Sequence, residues 1–127
     1  MTLIEFIKYA LNSNQKEELK LQITNEACQA IKKATALNVC DYAFIIEEGS
    51  IRHIRNRHPE DLELLPRIPE ILNTFSHVEK SLTRNKQSGQ NDISLVFRKK
   101  YDDGTIQMVS LRLQREKKLS LKTFFRT

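Results

Sequence analysis

Ile93-Ser94-Leu95-Val96-Phe97-Arg98-Lys99-Lys100-Tyr101-Asp102-Asp103-Gly104-Thr105-Ile106-Gln107-Met108-Val109-Ser110-Leu111-Arg112-Leu113 is the stretch that decides the fold class. Ile93, Leu95 and Phe97 alternate with Ser94, Val96 and Arg98, and Val109, Leu111 and Leu113 alternate with Met108, Ser110 and Arg112. A period of two is the signature of strands with one face in a core. Asp103-Gly104 between the two runs is a hairpin signal, because both residue types tolerate the positive backbone angles of a tight turn. A weaker strand over Val78 to Thr83 precedes this pair, and Leu119 to Phe125 follows it after a turn near Arg115 to Lys117. The polar loop Asn85 to Asp92 should be exposed.

Upstream the period is helical. Leu3, Ile4, Ile7 and Leu11 mark a helix over residues 2 to 11, and Ala27, Cys28, Ile31 and Ala34 mark a second one capped by Thr24 or Asn25. Ala43-Phe44-Ile45-Ile46 reads as a short buried strand. Ile51 to Arg57 reads as a basic helix with Ile51 and Ile54 inward, and Pro59 places His58 at its exit. Pro66 to Asn73 forms another short helix. Helices first and a meander last predict an α+β domain, with N-terminal helices packed on one face of a roughly four-stranded antiparallel β-sheet. The 127 residues are expected to form a single domain: a helical region over 1–42, then a histidine-bearing helix, a short helix and a β-meander over 43–127.

Composition narrows the function classes. No apolar run is long enough to span a bilayer, no signal-peptide pattern opens the chain, and a cytoplasmic setting, or delivery into a target cytoplasm, is expected. Cys28 and Cys40 supply neither a zinc-ligand set nor a disulfide framework, which favours a reducing compartment. The net charge of +5 is unevenly distributed. Residues 1–50 carry five Lys/Arg against seven Asp/Glu, whereas residues 80–127 carry twelve against four. A basic C-terminal third is the footprint of a surface that meets a polyanion, although a solvated basic sheet face would look the same. No metal-ligand spacing, phosphate-cradling glycine loop or nucleophile elbow is present, so metal, nucleotide and serine chemistry are disfavoured and no cofactor is expected.

The densest chemistry lies in Ile51-Arg52-His53-Ile54-Arg55-Asn56-Arg57-His58-Pro59. Two histidines can divide general base and general acid work near neutrality. A basic surface helix with incidental histidines is the competing explanation. His77 reads as a surface residue.

The run His53 to Pro59, then Leu65-Pro66-Arg67-Ile68-Pro69-Glu70-Ile71-Leu72, then a basic meander ending in Leu121-Lys122-Thr123-Phe124-Phe125-Arg126, resembles the phage-associated barnase/EndoU/RelE-like nucleases. The resemblance covers roughly residues 43 to 127 and lies in the joint order of short motifs. It implies RNA cleavage without a metal, by attack of the 2′-hydroxyl on the adjacent phosphate to leave a 2′,3′-cyclic phosphate. It further implies His53 and His58 as the acid/base pair, Thr123 as a terminal-strand hydroxyl, and a toxin or effector role. From the residues themselves, Arg57, Arg98, Lys100, Lys122 and Arg126 are candidates for phosphate contacts and Tyr101 for stacking on a base. RNA is the expected partner, together with an acidic immunity or antitoxin protein. The alternatives are a non-catalytic RNA-binding module and a protein-interaction domain for an acidic partner. By strict alternation Thr123 shares a face with Leu119 and Leu121, which points it into the core unless a bulge intervenes.

Overall fold

The computed structural model describes residues 1–127, which form four α-helices and one mixed sheet of six strands. In chain order these are α1 (Leu3–Leu11), β1 (Glu18–Gln22), α2 (Asn25–Thr35), β2 (Ala43–Glu47), α3 (Glu48–Arg57), a 3-10 segment (Pro59–Arg67), α4 (Ile68–Thr74), β3 (His77–Arg84), β4 (Asn91–Tyr101), β5 (Gly104–Leu113) and β6 (Lys118–Arg126). The sheet order is β1-β2-β6-β5-β4-β3. The α+β class is as expected; the four-stranded antiparallel sheet is corrected to six strands, with β2 parallel to β6. The region 1–42 is likewise not wholly helical, because Glu18–Gln22 adds an edge strand antiparallel to β2.

Helix ends follow local chemistry. Thr2 and Glu5 form a reciprocal capping box on α1, and the Thr24 hydroxyl accepts the Ala27 N–H at the start of α2. The third helix starts earlier than its apolar pattern suggests, directly after β2, because Glu48 is fully buried and needs partners. It accepts from the Ser13 hydroxyl, the Glu17 N–H and Arg52, at 3.0, 3.1 and 3.1 Å. Arg52 also donates to the carbonyls of Ala10 and Ser13. A buried carboxylate with three donors is tolerable where an unpaired one is not, so the pair fixes α3 against α1.

All four helices pack on one sheet face. Phe6, Ile31, Ile51, Ile54, Leu65 and Ile71 meet Phe44, Ile46, Leu95, Phe97, Met108, Leu119, Leu121 and Phe124 in one core. Each such fully buried side chain contributes about 1.5–3 kcal/mol of transfer free energy. The opposite face carries no helix; its rows include Ile45, Ser120 and Leu111, then Thr123, Val109 and Val96, then Phe125, Gln107 and Arg98.

Two local features set the rim. Tyr101 pairs with Gly104 around an Asp102-Asp103 turn, and a Cβ on Gly104, whose φ is +134°, would stand 2.6 Å from the Thr127 carbonyl oxygen. A disulfide joins Cys28 on α2 to Cys40, with Cα atoms 5.1 Å apart, and corrects the reading of the cysteines as unbridged. The cause is the left-handed Ala36 that ends α2 and turns the chain back along it. No helix is long and apolar enough to cross a membrane.

Candidate functional site

The site begins where β2 and β6 part. They pair only over Ala43–Ile45 and Lys118–Ser120, after which β2 turns into α3 while β6 runs on. The exposed backbone of β6 is then met by side chains from the helical layer. Ser50 donates to the Leu121 carbonyl at 2.7 Å, and Asp61 accepts the Arg126 N–H at 3.0 Å. These contacts satisfy edge groups that would otherwise be orphaned. They also hold α3 alongside β6.

A register shift between β5 and β6 decides what β6 displays. Ser110 pairs with Leu121 and Val109 with Thr123, so Lys122 is an extra residue with no partner. The bulge reverses the alternation: Leu119, Leu121 and Phe124 all enter the core, and Thr123 moves to the helix-free face beside Val109.

Between α3 and the bulge lies an open cleft of about 410 Å³, lined by Glu47, Gly49, Ser50, His53, Leu111, Leu113, Ser120, Leu121 and Lys122. His53 and Lys122 are both exposed, and Lys122 enters no ion pair. Ser120 donates to Glu47 at 3.2 Å across the cleft floor. His58 caps the C-terminus of α3, five residues and about 140° of helical turn past His53, and does not line this cleft. Its ring stacks on Phe125 at 5.1 Å, which fixes its orientation beside β6. Arg57, one turn after His53, is exposed and unpaired.

The remaining nominated residues divide. Arg98 and Lys100 lie on the helix-free face of β4, in rows with Gln107 and Thr105. Arg98 is already committed: it donates to Glu79 at 2.6 Å and to Gln107 at 3.1 Å. That hydrogen bond and charge hold the Glu79 carboxyl below its ordinary range. Tyr101 and Arg126 lie on the helix-covered side. Arg126 pairs with Asp103 at 2.8 Å, and the Arg67 guanidinium, itself 3.5 Å from Asp103, covers the Tyr101 ring at 4.5 Å. They share no cleft with His53.

Sequence reasoning passed over Glu47, Ser50, Ser120 and Phe125. Glu47 had a usable signal, as a carboxylate at the end of an apolar strand immediately before the histidine-bearing helix. The two serines became visible only with the register of β6.

A model of the family described as phage-Barnase-EndoU-ColicinE5/D-RelE like nuclease3 matches residues 21–127. The chain belongs to this family. The matched span of this phage-type nuclease contains both sides of the cleft, His53 on α3 and Lys122 on β6, and leaves out α1. That helix nevertheless braces the cleft, since its Ala10 carbonyl accepts from Arg52, the neighbour of His53. Neither the curated proteins nor the solved structures hold a significant match to the chain.

Proposed function

We propose that this nuclease is a metal-independent endoribonuclease. The observation that carries the reading is the cleft between α3 and the β6 bulge that His53 shares with an unpaired Lys122. In this reading one histidine of the pair His53 and His58 takes the 2′-hydroxyl proton as the new bond to phosphorus forms. The other gives a proton to the departing 5′ oxygen as its bond to phosphorus breaks, leaving a 2′,3′-cyclic phosphate and a 5′-hydroxyl end. Lys122 is a fixed cation for the charge that gathers on the phosphoryl oxygens, and Thr123 a hydroxyl donor beside it. Arg57 and Lys100 meet flanking phosphates, with Arg98 held back by Glu79. Tyr101 and Arg126 take no part. A toxin or effector acting in a cytoplasm, restrained by an acidic immunity or antitoxin protein, suits a basic nuclease of phage type.

The test is incubation of the purified chain with total RNA, with and without EDTA, followed by analysis of the product ends. Cyclic phosphate ends formed in the presence of chelator are expected. Cleavage abolished by EDTA would overturn metal independence, and RNA bound without turnover would favour a binding module.

A further inference from the structure

We propose that His58, Glu60 and Asp61 form a binding site for one divalent transition-metal ion of the zinc class. One ligand atom from each can be chosen so that all three lie within 4.8 Å of one another. The backbone brings this about. His58 closes α3, Pro59 opens the 3-10 segment, and the Asp61 N–H donates back to the His58 carbonyl at 2.9 Å, so one tight turn carries all three side chains.

Asp61 gives the site its charge. It is 2% exposed and enters no ion pair, and its Oδ2 accepts the Arg126 N–H as its side-chain hydrogen bond. A buried carboxylate without a cation is costly, and one neutral N–H does not replace a counter-charge. Glu60 is exposed and free to swing inward, while the stack on Phe125 holds the His58 ring in place. One imidazole nitrogen with two carboxylates suits Zn²⁺, Co²⁺ or Mn²⁺ better than Mg²⁺, which prefers oxygen and water, or a soft ion that needs sulfur. Three protein ligands leave positions for water.

A functional corollary rests on the nuclease reading above. A metal on His58 occupies the lone pair that would carry a proton, so occupancy switches cleavage off. The ion is then an inhibitor and not a cofactor.

The experiment titrates the untagged chain with Co²⁺, followed by visible absorption and by histidine ring NMR, with Zn²⁺ as competitor. One ion per chain is expected, with loss of the His58 ring signals and retention of those of His53 and His77. Glu60→Gln, at an exposed position that leaves the fold intact, should weaken binding by at least about tenfold, and Asp61→Asn should do so too if it folds. Absence of saturable binding, or binding that survives both Glu60→Gln and His58→Ala, overturns the site and leaves the nuclease reading untouched. Binding at His58 with cleavage unchanged keeps the site and removes His58 from the acid/base pair.

Discussion

Two cationic regions flank β6, and they differ in what their charges are doing. Between α3 and β6, Lys122 stands on a bulge beside His53 with no carboxylate bound to it. On the helix-covered side, Arg67 and Arg126 converge on Asp103. Burial alone pushes the Asp103 carboxyl up, yet the hydrogen bond and charge of Arg67, aided by Arg126, hold it below its ordinary range. Both regions contribute to the same basic C-terminal count. Only the first leaves a cation for a phosphate; the second spends its arginines on closing a hairpin and seating the end of the chain. Net charge therefore locates a polyanion surface less well than charge that lacks a partner.

The largest effect should come from the first region. His53→Ala is expected to slow single-turnover RNA cleavage by roughly 10² to 10⁴, the range of a general acid or base, with RNA affinity nearly unchanged. Arg126→Ala should leave the rate close to wild type and lower the melting temperature, and a reversal of these two results would break the comparison. Removing the disulfide supplies a control that touches neither region. Cys40→Ser should cost about 3 kcal/mol in chemical denaturation, from the loop entropy released in the unfolded chain, without altering the relative rates of the other variants.

Binding should separate the regions more finely. Lys122→Ala is expected to reduce the slope of log affinity against log salt by about 0.7 for single-stranded RNA, and Arg126→Ala to leave it unchanged. Asp103→Asn should steepen that slope by releasing two guanidiniums; a slope unmoved by it would mean that the arginines were never held out of reach. The smallest effect is a pH dependence confined to the second region. Burial, reinforced by the Glu70 charge, raises the Tyr101 phenol above the ordinary tyrosine range. A raised pKa favours the neutral form in the folded state, so its stabilising effect is present below the ordinary value and lost as pH rises through the raised one. Thermal melts across alkaline pH should show this loss in the wild type and not in Tyr101→Phe.

Much of this was legible because hydrophobic period is a strong signal. Ile93 to Phe97 and Ile51 with Ile54 identified the meander and the histidine-bearing helix, and Pro59 placed His58 at the helix end, where it lies. Glu18–Gln22 was passed over because an edge strand needs apolar residues on one face only, and just Leu19 and Leu21 supply them. The parallel pairing of β2 with β6 leaves no local mark, since it joins segments more than seventy residues apart. Nor does the bulge at Lys122. Alternation continued through it would have kept Thr123 in the core, and only the register of β5 against β6 shows that the phase reverses. Which side of the sheet a residue of β6 serves is a tertiary property. The cysteines were misjudged for the same reason, because their approach depends on how α2 ends.

The three-residue parallel contact between β2 and β6 also governs when the cleft can exist. Glu47 meets Ser120 across 73 positions of sequence, and Ser50 meets Leu121 across 71. Such contacts bear the full entropic cost of closing a long loop and form late relative to the hairpins of β3, β4 and β5. While residues 118–126 are still to be synthesised, the chain can have its histidine-bearing helix, the β1–β2 pair and the β3–β4–β5 meander, but neither the strand that joins them nor a wall opposite His53. On the reading proposed above, a nascent chain without β6 lacks the Lys122 wall opposite His53 and should leave RNA uncut.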